Sequence, residues 1–160
     1  MQKMKFCIVK IYNDFYAIRS TQVVDVVDGF SDRLIEVFST EREAHLIYKT
    51  QQVQMINPAA LFGSAVDSSV EMKAILIVRN YTRGNDSLHG LPINELVGFS
   101  FFEDRLLMPF NFFQCKNYCL NSFEHNNMII NILDMNKLYN LEPSYQIQIP
   151  KMSGVKVHLL

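Results

Sequence analysis

Apolar and polar side chains alternate over short distances along this chain, and turn-forming residues separate the runs. The stretch Ile47–Gly63 shows this pattern most clearly. Val53 and Met55 alternate with glutamines, which is the period of two of a half-buried strand. Asn57 then offers an N-cap, a proline occupies the first helical position, and Gly63 supplies a left-handed stop. The stretch therefore predicts a strand that runs directly into a short helix.

The rest of the chain predicts a succession of short strands with turns between them. Asn13-Asp14 predicts a two-residue hairpin turn, and Thr40–His45 predicts a loop or one helical turn. Pro92 predicts an edge strand or a bulge, because proline donates no hydrogen bond to a ladder. Asp134 predicts the cap of a final short helix. The predicted strands are Met4–Tyr12, Phe15–Ile18, Val23–Val27, Leu34–Phe38, Lys73–Tyr81, Leu88–Phe102, Tyr118–Phe123 and Met128–Leu133.

This pattern predicts the fold class. Roughly ten short strands at regular spacing, with about two or three short helices, indicate an all-β protein, either a sandwich or a barrel. At 160 residues, the chain has the length of one compact domain or of two small subdomains. Hydrophobic residues make up 49% of it, which is enough to build a packed core.

The balance of charges and the cysteine content limit the classes of binding partner and the cellular compartment that we expect for this protein. The 15 basic and 16 acidic residues are balanced and form no block of one sign, which argues against a nucleic-acid or membrane-surface footprint. No apolar run reaches the length of a transmembrane helix, and the first residues lack the apolar core of a signal peptide. Three cysteines without a CxxC spacing argue against a disulfide framework. We therefore expect a reduced, soluble, cytoplasmic protein with no direct membrane insertion.

The chain contains few residues that suggest catalysis or metal binding. The histidines follow none of the HxH, HxxxH or HExxH spacings that zinc sites use, so we interpret them as surface residues: His45, His89 and His125 in turn-rich stretches, and His158 in the tail. Cys7, Cys115 and Cys119 fit buried small apolar residues better than metal ligands. No GxSxG, P-loop or GxGxxG motif is present. We therefore predict no enzyme, no cofactor and no metal.

Six phenylalanines between positions 99 and 113 have two readings. They could form an exposed binding stripe, or they could fill the cores of a small two-part protein that has no tryptophan. We favour the core reading. The residues are Phe99, Phe101, Phe102, Phe110, Phe112 and Phe113.

Five segments, in order, resemble the CheW-like coupling domains of bacterial chemotaxis. No single motif is specific, but the ordered set is, and it covers roughly residues 5–140. The closing segment, MIINILDMNKL, is similar to the family's "L-V-x-L-L-D-x-x-K-L", and GLPINELVGF is similar to "G-L-L-V-D-x-V-x-x-V". The segments are Phe15–Val27, Val53–Gly63, Lys73–Tyr81, Gly90–Phe99 and Met128–Leu138.

The resemblance implies a fold and a function. The fold would be two small, intertwined five-stranded β-barrels within a domain at residues 4–140. The sequence of the tail at 141–160 leaves two alternatives open: it adds one further strand or it lies loose. The function would be that of a non-enzymatic scaffold in chemotaxis-type signal transduction. Its partners would be the regulatory domain of a CheA-type histidine kinase and the cytoplasmic tip of a chemoreceptor.

The resemblance also selects three candidate partner-binding residues: Val23, Asp25 and Lys49, which match positions on the family's partner-binding surface. The family carries Glu and Arg where this chain has Asp25 and Lys49, and Gly where it has Thr50. We hypothesise that Asp25 and Lys49 face each other or a shared partner charge. We also expect Thr50 to lack the freedom of glycine to adopt positive φ.

An alternative of another class is a small barrel that binds a ligand or single-stranded nucleic acid with its aromatic residues as stacking platforms. The balanced charge argues against it, because such grooves are basic. A third interpretation is that the protein is an enzyme, but no set of residues in the sequence supports it.

Overall fold

The computed structural model describes residues 3–28, 35–40, 43–56, 72–82, 85–103, 119–139 and 155–159. This part of the chain forms twelve strands, one short α-helix and a 3-10 turn at Ser20–Gln22. The helix, α1, spans Met135–Tyr139. The strands are β1 Lys3–Ile11, β2 Asp14–Arg19, β3 Val23–Asp28, β4 Ile35–Ser39, β5 Ala44–Tyr48, β6 Gln51–Met55, β7 Ala74–Thr82, β8 Asn85–Ile93, β9 Glu95–Glu103, β10 Cys119–His125, β11 Met128–Leu133 and β12 Val155–Leu159.

The strands form two sheets. The first sheet has five strands in the order β10-β11-β2-β1-β9, and the second has seven in the order β12-β4-β5-β6-β8-β7-β3. Three pairs of neighbouring strands are parallel: β2 with β11, β4 with β12, and β6 with β8. The other neighbouring strands in the two sheets are antiparallel. This arrangement confirms the all-β prediction. It does not confirm that either sheet closes into a barrel, which stays a prediction.

Two apolar cores hold the sheets. The larger core joins them, because Cys7 and Ile18 from the first sheet pack with Leu76 and Leu91 from the second. The smaller core lies on the other face of the first sheet and is built around Phe6, Ile8, Phe102, Phe123 and Ile130. Residues that alternate along β1 therefore enter different cores, which explains why this strand is apolar on both faces.

Asn94 marks the crossing from the second sheet to the first. The predicted single run Leu88–Phe102 is wrong, because the chain leaves β8 at Ile93 and enters β9 at Glu95. The side-chain oxygen of the buried Asn94 accepts a hydrogen bond from the backbone N–H of Tyr12. The backbone N–H of Asn94 donates to the carbonyl of Lys10 at 2.9 Å. These bonds attach the crossing to the end of β1.

Two predicted turns differ from the structure. The β1–β2 turn is Tyr12-Asn13 and not Asn13-Asp14, because Asp14 already pairs with Ile11. The backbone of Tyr12 has a φ of 54°, in the conformation that lets its N–H reach Asn94. The predicted loop Thr40–His45 is partly strand, since the N–H of Thr40 donates to the carbonyl of Glu43 at 2.8 Å and β5 begins at Ala44.

Strand β8 is a central strand, so the prediction that Pro92 lies on an edge is wrong. Proline is accommodated because β6 pairs with β8 at His89 and Gly90 and does not extend to Pro92. A Cβ atom at Gly90 would lie 2.7 Å from Sδ of Met55 on β6 and 3.1 Å from Cγ2 of Ile75 on β7. Glycine at this position leaves room for these two side chains.

The ends of the chain follow the predictions where they are described. The carboxylate of Asp134 caps α1 by accepting hydrogen bonds from the N–H groups of Asn136 at 3.1 Å and Lys137 at 3.4 Å. The tail contributes β12, while the division of the chain at residue 140 stays a prediction. The helix predicted after Asn57 lies outside the described residues. None of the described helical segments has the length and apolarity needed to cross a membrane.

Candidate functional site

The tip of the β5–β6 hairpin carries Lys49, one of the three candidate residues. Tyr48 pairs with Gln51, so the turn consists of Lys49 and Thr50 alone. Their φ values are 45° and 66°. Positive φ at both central positions is the pattern of a type I′ turn, whose twist matches that of the flanking strands. The expectation that Thr50 lacks access to positive φ is therefore wrong, because hairpin geometry overrides its side-chain preference.

The turn is conformationally strained. Type I′ turns ordinarily use Asn or Gly, and a β-branched residue at positive φ is an outlier. The hydroxyl of Thr50 donates to the carbonyl of Lys49 at 2.5 Å, which offsets part of the cost. Both side chains are exposed. The hairpin therefore holds two unfavourable backbone conformations at a point where the side chains face solvent.

Asp25 lies on β3, at an edge of the second sheet. Its Oδ1 accepts a hydrogen bond from the N–H of Val26 at 2.8 Å, and its Oδ2 accepts one from the hydroxyl of Tyr48 at 2.7 Å. The β3–β7 register shifts between Val23 and Asp25, which is the irregularity of a β-bulge. The carboxylate is therefore held by one local bond and one bond to a distant strand.

Tyr48 connects the two charged candidates. Its hydroxyl binds Asp25, and the ammonium of Lys49 lies 5.4 Å from the centroid of its ring. No ion pair joins Asp25 to Lys49 in the described part of the chain. The two residues are linked only through Tyr48, which contacts both. We name Asp25, Tyr48, Lys49 and Thr50 the hairpin-tip surface. The sequence analysis did not select Tyr48, because only the fold places β3 beside the end of β5.

Val23 has a different environment. It is half-buried against the larger core, opposite Val78 on β7, whereas its neighbour Val24 is 38% exposed. The structure therefore brings Asp25 and Lys49 together through Tyr48, and it places Val23 beneath them as packing. Exposed apolar area near this edge comes from Val24.

The electrostatics of the hairpin-tip surface are asymmetric. Both carboxylate oxygens of Asp25 accept hydrogen bonds from the protein, while Lys49 is exposed and its described contact is the Tyr48 ring. A cation over an aromatic ring keeps its charge and remains available to an incoming anion. The surface can therefore receive a partner's carboxylate.

The four histidines lie in strands and are half-buried, so the turn-rich, surface interpretation is wrong. The ring of His125 packs edge-on against Phe102, and that of His158 stacks on Phe38. Burial lowers the pKa of His89 to about 4, so this side chain is neutral near pH 7. Within the described ranges, no group of three or more potential ligands is arranged to hold a metal ion.

The described cysteines fit the prediction of buried apolar residues. Cys7 and Cys119 lie buried in the larger core. Burial raises the pKa of Cys7 to about 11, which makes it a poor nucleophile at neutral pH. Cys115 lies outside the described residues.

The phenylalanines divide between core and surface. Phe102 packs in the smaller core with Phe6 and Phe123, as predicted. Phe99 and Phe101 are 48% and 65% exposed, so for these two the core reading is wrong. Phe110, Phe112 and Phe113 lie outside the described residues.

Comparison with known proteins shows the fold. The structure is similar to that of the scaffolding protein TtCheW from Thermoanaerobacter tengcongensis, with a TM-score of 0.68 over 91% of this chain and 93% of that one. The sequences are 12% identical over this match. No protein-family model matches the sequence, and no curated protein matches it. The chain therefore has a CheW-like fold.

Proposed function

We propose that this chain, with its CheW-like fold, is a non-enzymatic scaffold in chemotaxis-type signal transduction that couples chemoreceptors to a CheA-type histidine kinase. The observation that carries the proposal is the likeness to a scaffolding protein over 91% of the chain. The order of the five segments that resemble the family supports it.

The hairpin-tip surface is the proposed docking site. Lys49 is an exposed cation with no acidic partner among the described residues, and Val24 supplies exposed apolar area on the neighbouring edge strand. Such a surface suits the regulatory domain of the kinase if that domain presents a carboxylate at the contact. Scaffold contacts of modest area give affinities on the order of 1 μM, or about −8 kcal/mol.

Titration calorimetry with the isolated regulatory domain of the cognate kinase tests the proposal. We expect wild-type chain to bind with a Kd in the micromolar range. Lys49→Glu should weaken binding about tenfold, or about 1.4 kcal/mol, because a repulsion replaces an attraction. Lys73→Glu is the matched control, since Lys73 is also exposed but precedes β7. No complex at high micromolar concentration, with both proteins folded, contradicts the scaffold function.

We also consider the double variant in which Lys49→Glu is combined with Asp25→Lys, so that both charges are reversed. If Asp25 and Lys49 formed a pair, reversing Asp25 would restore what Lys49→Glu removes. The structure engages Asp25 with Tyr48 and Val26, so a cation at position 25 would lose both bonds. We therefore expect Asp25→Lys to give no rescue. A compensating reversal should be found on the partner.

One observation favours a second candidate function, the binding of single-stranded nucleic acid. Phe99 and Phe101 are exposed on β9, and the ammonium of Lys5 lies 5.1 Å and 5.7 Å from the centroids of their rings. Aromatic residues beside a cation are how such proteins stack bases. Fluorescence anisotropy with a labelled oligothymidine tests this: binding that weakens with salt and is lost in Phe101→Ala supports it, and no binding at low salt excludes it.

A further inference from the structure

We infer that two copies of this chain associate through the outer edge of β9, in antiparallel alignment about a two-fold axis at Phe101. Strand β9 is an outer strand of the first sheet, and its described pairing is with β1 alone. Between Glu95 and Glu103 it carries neither a charged residue nor a proline. Natural edge strands ordinarily carry one of these, because an unprotected edge pairs with other strands. The association requires no second protein, so it holds independently of the proposed scaffold function.

Two aromatic side chains of β9, Phe99 and Phe101, lie on one face of this edge, because alternate residues of a strand share a face. Phe101 is 65% exposed, more than any other large apolar side chain among the described residues, and Phe99 is 48% exposed. Phe102, on the opposite face, is instead buried in the smaller core. In an antiparallel pairing centred on Phe101, this ring meets its counterpart from the second copy. Aromatic pairs across neighbouring strands stabilise a sheet, and the pairing removes exposed rings from water.

The charges beside these rings are complementary to those of a second copy. The ammonium of Lys5, on β1, lies 5.1 Å from the ring centroid of Phe99 and 5.7 Å from that of Phe101, so its charge stands above β9. Pairing centred on Phe101 places Glu103 of the second copy opposite Phe99, on the same face as Lys5. Side chains opposite each other on neighbouring strands have Cβ atoms about 5 Å apart, so this carboxylate reaches the ammonium. The two-fold axis makes the contact between Lys5 and Glu103 twice.

Two other registers of the same edge are less favourable. Pairing centred on Phe99 would place Glu95 opposite Glu103, and like charges directly opposite each other destabilise a sheet. Pairing centred on Ser100 would place Glu103 of the second copy opposite Val97, about 6.6 Å further along the strand from the position beside the ammonium. Val97 is also the residue that the register shift of the β1–β9 ladder leaves without an opposite residue. The pairing centred on Phe101 uses only the regular part of the strand.

Sedimentation equilibrium of the whole chain tests this dimer. The wild-type chain should form a dimer whose share rises with protein concentration. Lys5→Glu and Glu103→Lys should each weaken dimerisation about tenfold or more, because each turns both attractions across the axis into repulsions. An equimolar mixture of these two variants should restore the dimer, since both contacts of a mixed pair join opposite charges. Circular dichroism checks that each variant is folded, because Glu103 also stands opposite Lys3 of its own chain.

Two further variants separate this contact from a general effect of charge. Lys10→Glu is the matched control, because Lys10 lies on the same strand but beyond the contact, and it should leave dimerisation unchanged. Phe101→Ala should weaken dimerisation about tenfold, as expected for an aromatic side chain at the centre of an interface.

Three results would overturn the inference. The first is a wild-type chain that stays monomeric at about 1 mM. The second is a mixture of Lys5→Glu and Glu103→Lys that is no more dimeric than either variant alone, or a loss in Lys10→Glu as large as that in Lys5→Glu. The third is binding of labelled oligothymidine to a chain that remains monomeric, which would assign the two exposed rings to nucleic acid.

Discussion

The hydroxyl of Tyr48 lies 2.7 Å from Oδ2 of Asp25, and this bond joins the end of β5 to the edge strand β3. The two strands are not neighbours in the second sheet, so no backbone ladder connects them. The side-chain bond therefore fixes the position of the hairpin tip relative to β3. It also determines how Lys49, on the same tip, is presented to solvent.

Tyr48→Phe should destabilise the protein by about 1 kcal/mol, with a range of roughly 0.5 to 3, because a hydrogen bond to a charged acceptor is lost. Urea denaturation measures the change. Asp25→Asn replaces one of the two accepting oxygens by an NH2 group, so it loses one of the two bonds and should cost a similar amount. Equal stability of Tyr48→Phe and wild type would show that this bond does not hold the hairpin.

Thr50→Gly should stabilise the protein by about 0.5 to 1 kcal/mol, because glycine adopts a φ of 66° without steric cost. Thermal unfolding measures the shift. Thr40→Gly is the matched control and should be destabilising, since Thr40 accepts the N–H of Glu43 at 3.1 Å and is absent from the positive-φ residues. If Thr50→Gly lowers the melting temperature as much as the control does, the turn is not strained.

Asn94→Ala should lower the free energy of unfolding by about 1 to 3 kcal/mol. The substitution leaves the N–H of Tyr12 without the side-chain acceptor that it has at the crossing between the sheets. Asn121→Ala is the comparison, because Asn121 lies half-buried on β10 away from that crossing, and it should change stability by no more than about 0.5 kcal/mol. Similar losses in the two variants would mean that the crossing has no special role.

His89 should make the protein less stable as the pH falls from about 6.5 to about 4. Its pKa in the folded state is lowered to about 4 by burial, whereas an unfolded histidine titrates near 6.5. In this window the unfolded chain binds the proton that the folded chain does not, so stability falls on acidification. Partial solvent exposure reduces the loss to about 1 to 2 kcal/mol.

The measurement for His89 is the difference between wild type and His89→Gln in urea denaturation at a series of pH values. The variant lacks the titrating ring, so its stability should fall less steeply between pH 6.5 and pH 4. Carboxylates titrate in both proteins and cancel in the comparison. Parallel curves would show that His89 is accessible to protons in the folded state.

The sequence predicted those strands whose apolar pattern is bounded by turn residues. Val53 and Met55 are buried and the glutamines between and before them are exposed, as the alternation indicates. The break at Asn94 was missed, although Asn94-Glu95 interrupts the apolar run, because two polar residues do not by themselves show that the chain changes sheets. The Lys49-Thr50 turn escaped detection because neither residue favours positive φ.

The candidate site was predictable in part. Asp25 and Lys49 came from the family resemblance, and the structure places them on one surface. Their connection through Tyr48 depends on contacts between strands far apart in sequence, which local patterns do not encode. Phe99 and Phe101 show the same limit: strand alternation gives their common face, but how far the second sheet covers that face is a property of the whole fold.

The crossing at Asn94 also sets the order in which the chain can assemble. Strand β1 pairs with β9 from Lys3 opposite Glu103 onward, and the strands β3 to β8 lie between them in sequence. Closing so long a loop costs chain entropy before the contacts between β1 and β9 can form. We therefore expect the first sheet to nucleate more slowly than the second. During synthesis the hairpin β1–β2 precedes β9, so its pairing with β9 forms late. The strands of the second sheet, apart from β12, follow one another without interruption, so we expect this sheet to form before the first is completed.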